Sequence, residues 1–135
     1  PVPLSGTGRK PHGTKSYSID GHTRKMPSAI IDLFQHVDSY ASSLGPDVSR
    51  RVTKMYIGYF AGKRSFFTLQ LTKSKVNVYL SLLPSEAQPW LDTEMRDVRN
   101  IGHQGLGKTE FVLHQPDQLE RLNSFLRLSY LRNRR

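Results

Sequence analysis

Residues 52–82 read VTKMYIGYFAGKRSFFTLQLTKSKVNVYLSL, and this run decides the fold. Residues 52–60 are rich in β-branched and aromatic side chains, and Ala61-Gly62-Lys63-Arg64 has the chemistry of a turn. Residues 65–72 and 75–82 each alternate with a period of two. Alternation puts Phe67, Leu69 and Leu71 on one face of the second segment, and Val76, Val78, Leu80 and Leu82 on one face of the third. Lys73-Ser74 between them predicts a tight hairpin with a cation at its tip. Three consecutive antiparallel strands are expected.

Upstream, the pattern changes period. Pro27 suits a first helical turn, where its missing N–H costs nothing. Ile30, Ile31, Phe34, Val37, Ala41 and Leu44 then recur at helical spacing, predicting a helix over 27–44 with one buried face. Gly45 is expected as a left-handed cap, and Pro46 prevents continuation. Downstream, 109–114 reads as a further strand, and Asp117 to Leu131 as a helix with Leu119, Leu122, Phe125, Leu126 and Tyr130 on its apolar side. Residues 91–100 are charged and do not pattern as a strand.

Two amphipathic helices and a few antiparallel strands predict an α+β, two-layer domain: a sheet of about four strands with both helices on one face. The other face would carry Phe66, Thr68, Gln70, Asn77 and Tyr79. That face is either an open stacking platform or is closed over by the loops at 84–107. Residues 1–16 read as a basic flexible tail or linker, 17–131 as a single domain and 132–135 as an arginine-rich end.

The chain has 135 residues, a formal charge of +9 and no cysteine, which excludes disulfides and thiolate metal sites. No apolar run approaches the ~20 residues of a membrane-spanning helix and nothing at the start resembles a signal peptide, so a cytoplasmic setting without membrane contact is expected. A chain opening at Pro1 without methionine fits either a fragment, with a domain fused upstream, or a processed product. The charge is segregated. Residues 50–75 hold Arg50, Arg51, Lys54, Lys63, Arg64, Lys73 and Lys75 and no acid, with Tyr56, Tyr59, Phe60, Phe66 and Phe67 threaded among them. Cations for phosphates beside flat rings for bases suit a polyanion, above all a nucleic acid.

Residues 102–109, Gly-His-Gln-Gly-Leu-Gly-Lys-Thr, satisfy the spacing of a phosphate-binding loop. That chemistry needs a helix N-terminus directly after the loop, and here Glu110-Phe111-Val112-Leu113 reads as a strand. The stretch is better taken as a glycine-bearing turn that presents His103 and Gln104 at a surface. The five histidines lack metal-ligand spacing, and Asp92, Glu94 and Asp97 read as solvated surface. No catalytic residue, cofactor or metal ligand is assigned.

Three pieces carry a resemblance: Leu44-Gly45-Pro46-Asp47-Val48, Thr53-Lys54-Met55-Tyr56-Ile57-Gly58-Tyr59, and Asn100-Ile101-Gly102-His103-Gln104-Gly105-Leu106-Gly107. Together with Tyr17-Ser18-Ile19-Asp20 and the closing helix, they resemble an uncharacterised bacterial domain family known under the label "predicted transport protein". Its members occur alone or at the C-terminal end of restriction and nuclease-linked proteins. The chain is more distantly similar to frataxin-like and double-wing DNA-binding α+β domains. The resemblance implies an α+β fold and a defence-linked setting, and it supplies no catalytic residues. The arginine-rich ends and Lys108-Thr109 depart from the family pattern.

The expected function is a non-catalytic nucleic-acid-binding module, for duplex DNA, within a restriction or DNA-processing protein. Arg50, Arg51, Lys54, Lys63, Arg64, Lys73, Lys75 and Lys108 would meet phosphates, Tyr56 and Phe66 would stack, and His103 and Gln104 would approach bases. The alternative is a protein-interaction or homo-oligomerisation domain with an acidic partner. A nucleotide hydrolase or metal nuclease ranks behind both.

Overall fold

The computed structural model of the chain describes residues 2–3, 17–83, 85, 95–97 and 109–134. Six strands, β2 (Val48–Val52), β3 (Ile57–Ala61), β4 (Arg64–Leu71), β5 (Val76–Leu80), β6 (Met95–Asp97) and β7 (Thr109–Leu113), form one antiparallel sheet, and β1 (Val2–Pro3) pairs along the free edge of β2. The spatial order is β1-β2-β3-β4-β5-β7-β6. Among the described residues, three helices seen over their full length accompany the sheet: α1 (Ile19–Thr23), α2 (Ser28–Ser43) and α3 (Leu119–Asn133), the last preceded by a turn of 3₁₀ helix at Pro116–Gln118. The α+β class is as expected, but the expected sheet of about four strands is corrected to six.

The two additional strands have separate causes. Residues 52–60 do not form one strand, because the chain turns at 53–56 and splits them between β2 and β3. Thr53 closes that turn: its N–H and its hydroxyl both donate to the Tyr56 carbonyl, at 2.9 and 3.0 Å, and Tyr56 N–H donates back to Thr53 Oγ1 at 3.1 Å. Residues 95–97 then add an edge strand to β7 inside the charged stretch that had no strand pattern. Three residues are too few for alternation to register.

Helices α2 and α3 pack on each other and on the sheet. A continuous chain of contacts puts both on the same face. Asp38 of α2 accepts the Tyr59 hydroxyl, Tyr59 stacks on Phe67 at 4.2 Å, Phe67 meets Phe66 edge-on, and Phe66 meets Tyr130 of α3. The core lies between these layers, with Val37, Ile57, Leu69, Val78, Leu80, Phe111, Leu122 and Leu126 all withdrawn from solvent. Gln118 fastens the start of α3 to the end of β7: its Oε1 accepts from His114 and Gln115 N–H, and its Nε2 donates to the Val112 carbonyl.

Two expectations about single residues are corrected. Phe66 does not face away from the helices. The register pairs Tyr59 with Phe67 and Phe60 with Ser65, so Phe66 is the extra residue of a β-bulge and turns into the core, fully buried. Its carbonyl accepts both the Ser81 N–H and the Ser129 hydroxyl. Gly45 is not left-handed; Gly62 is the described glycine with positive φ, at 63°, where it opens the two-residue loop between β3 and β4.

Candidate nucleic-acid interface

Antiparallel connectivity sorts the basic residues by end. β2 and β4 run towards one end of the sheet, where the turns 53–56 and 72–75 lie; β3 and β5 run back towards the other, where Gly62-Lys63 lies. The first is termed the upper end, the second the lower. The two upper turns are built alike. In the second, Thr72 N–H and Oγ1 donate to the Lys75 carbonyl at 2.9 and 3.0 Å, and Lys75 N–H donates back to Thr72 Oγ1 at 3.1 Å. The three bonds of the Thr53 turn all recur, Ser74 N–H adds a further one to Thr72 Oγ1 at 3.3 Å, and in both turns a lysine follows the threonine. A Thr-Lys pair thus opens both turns, and the threonine bonds hold the backbone from which Lys54 and Lys73 project, both exposed.

The turns lie two strand positions apart in the sheet order, or about 10 Å, comparable with the ~12 Å major groove across which phosphates of opposite strands face each other. Neither turn carries an acid, and Lys75 is half-buried beside them. Arg51, exposed, sits two residues before the first turn on the face away from the helices. Tyr56 ends that turn, half-buried. Met55, more than half exposed at 52%, is an apolar knob beside Lys54.

α1 joins this end. His22 Nε2 donates to the Thr53 carbonyl at 2.7 Å, which brings Arg24 and Lys25 with it. Arg24 is spent on an exposed i,i+4 pair with Asp20 at 2.9 Å, while Lys25 is exposed on the link to α2. The α1 contribution was not read from the sequence, because nothing in residues 17–26 signals where a single short helix docks. The doubled Thr-Lys spacing at 53–54 and 72–73 was available as a signal.

The other candidates that the sequence suggests do not gather here. Arg50 points to the helix side, where Nη1 donates to Asp38 Oδ1 at 2.8 Å; that oxygen also takes the Tyr59 hydroxyl at 2.6 Å. It fastens α2 to the sheet. Lys63 and Arg64 are exposed at the lower end, the length of β4 away. Phe66 is in the core. His103, Gln104 and Lys108 lie outside the described residues, as do Asp92 and Glu94. Thr109, the last residue of the phosphate-loop pattern, opens β7 with its hydroxyl bonded to the Leu82 carbonyl, so a strand follows and no helix N-terminus does.

The sheet face away from the helices is not an open platform. Thr68, Asn77, Tyr79 and Glu110 on it are 7, 8, 3 and 4% exposed. Glu110 accepts from Arg96 at 2.6 Å, and burial, with the Glu110 carboxylate beside it, pushes the Tyr79 phenol up to about 12. Among the described residues no group of three histidines or acids is placed to hold a metal, and no helix is long and apolar enough to cross a membrane.

Residues 19–133 match the family model described as Domain of unknown function (DUF5655). No curated protein and no solved structure matches the chain.

Proposed function

The chain belongs to the DUF5655 family of domains of unknown function, a membership that carries no activity with it, and we propose that the chain is a non-catalytic module that binds duplex nucleic acid through the upper end of its sheet. One observation carries the reading: two like-built Thr-Lys turns stand side by side and present Lys54 and Lys73 with no acid on either turn. Lys54, Lys73, Lys75 and Arg51 meet phosphates, and Lys25 adds charge at the margin. Tyr56 and Met55 are the apolar groups at the contact. A duplex is favoured because the cations are spread over ~10 Å with no stacking platform between them. A restriction or defence setting for the module rests on the family resemblance.

Fluorescence anisotropy of a labelled DNA duplex across a salt series tests this. Four phosphate contacts predict a log–log slope of roughly −3.5. Lys54→Ala with Lys73→Ala takes about 2 off that slope, whereas Arg50→Ala lowers stability and leaves the slope in place. Absence of salt-dependent binding at low salt overturns the proposal and turns the search towards an acidic protein partner.

A further inference from the structure

The lower end of the sheet carries cations of its own. Lys63 and Arg64 are exposed on the β3–β4 hairpin. Arg134, just past α3, is exposed with its guanidinium 5.7 Å from the Tyr130 ring centroid. α3 ends at this side: Asn133 donates to the carbonyl of Ser81, which follows β5. The acid beside them is Asp47, whose carboxylate already accepts the Tyr130 hydroxyl at 2.6 Å and whose carbonyl takes the Gly62 N–H.

β4 alone separates the two ends by eight residues, or about 23 Å. That is more than twice the Debye length at physiological salt, so the two groups of cations act independently. Among the described residues the waist between them offers little to a phosphate backbone. β3 and β5 hold no charged residue, α2 holds only Asp32 and Asp38, and on the outer sheet face Arg96 is bound to Glu110. On the helix layer Arg127 is the exposed cation near mid-length of α3. Among the described residues, a single straight duplex laid from end to end along α2 would therefore cross a neutral to acidic middle.

We infer that the lower end is a second, independent nucleic-acid contact, and that one copy of the chain bridges two duplex segments. The inference rests on the reading of the upper end given above. The upper contact uses Lys54, Lys73, Lys75 and Arg51; the lower uses Lys63, Arg64 and Arg134. All but Lys75 are exposed.

Energy transfer between a donor-labelled and an acceptor-labelled duplex tests it, with the full chain at low salt and its monomeric state followed by sedimentation. Transfer is expected below saturation and falls once protein is in excess, when every duplex has its own copy. Lys63→Ala/Arg64→Ala/Arg134→Ala is expected to keep single-duplex binding by anisotropy within about threefold and to lose the transfer. Lys54→Ala/Lys73→Ala/Lys75→Ala is expected to lose it as well. These residues lie on the surface, and circular dichroism checks that both variants fold. Single-duplex binding by the native chain with no transfer overturns the bridging alone. Transfer that survives in both variants also overturns it, because bridging then comes from association of copies. Failure of the native chain to bind any duplex overturns the upper-end reading and the bridging together.

Discussion

A Cβ on Gly45 would run into the Tyr130 hydroxyl and stand 2.8 Å from Asp47 Oδ1. The missing side chain makes room for a hydrogen bond that ties the end of α3 to the loop between α2 and β2: Tyr130 donates to Asp47 Oδ1 at 2.6 Å. This accounts for Gly45 and Asp47 within Leu44-Gly45-Pro46-Asp47 as architecture. Gly45→Ala is expected to destabilise by about 1–3 kcal/mol through overpacking, and Tyr130→Phe by about 1–2 kcal/mol through the lost bond. In the Tyr130→Phe background Gly45→Ala should cost less, because the hydroxyl it strikes is gone. Urea unfolding of the two single variants and the double variant measures the coupling; simple additivity would mean that the clash lies elsewhere.

At the scale of elements, the sheet owes its upper edge to two threonine side chains. Thr53 and Thr72 each form hydroxyl bonds in both directions across a four-residue turn. Thr53→Ala or Thr72→Ala removes those bonds at a cost of about 1 kcal/mol each. The lysine that follows then loses its fixed mount. Each substitution is expected to lower duplex affinity several-fold with the salt slope unchanged, since the charges remain and only their placement loosens. A lysine substitution does the opposite and changes the slope with little effect on stability. Anisotropy and urea titrations on one set of variants separate the two behaviours.

For the whole molecule, three tyrosines resist ionisation: Tyr59 and Tyr130 join the helices to the sheet side, and Tyr79 lies on the outer sheet face beside Glu110. Burial holds Tyr59 well above the usual tyrosine value, with Asp38 adding to the shift. The hydrogen bond to Asp47 raises Tyr130 first, then burial; burial and Glu110 bring Tyr79 to about 12. A phenol with a raised folded value holds its proton more tightly folded than unfolded. Its contribution is therefore complete below pH ~10 and is lost as pH rises through the folded value. Tyr79 alone accounts for roughly 2–3 kcal/mol by pH ~12. Unfolding free energy should fall steeply above pH ~10, and Tyr79→Phe should flatten part of that fall. An alkaline limb that is the same in both proteins would show that Tyr79 titrates normally.

The class and the two long helices were legible from local pattern alone. So were the apolar faces of β4 and β5, because helical and two-residue periodicities are local consequences of which side chains must leave water. The turn at Gly62-Lys63 and the hairpin at Lys73-Ser74 could be placed too, since turn chemistry is written in adjacent residues. What depends on register and on distant partners emerged with the folded chain. The bulge that turned Phe66 into the core shifts alternation by one residue, a change invisible without the partner strand. The break of 52–60 into two strands came from hydroxyl bonds that β propensity does not weigh. Arg50 left the surface because Asp38, twelve residues earlier, met it across the layers. The run of seven cations between 50 and 75 divided between two ends because antiparallel strands reverse direction at every turn. Charge is summed along a sequence, but a binding surface is made by which ends of which strands the fold brings side by side.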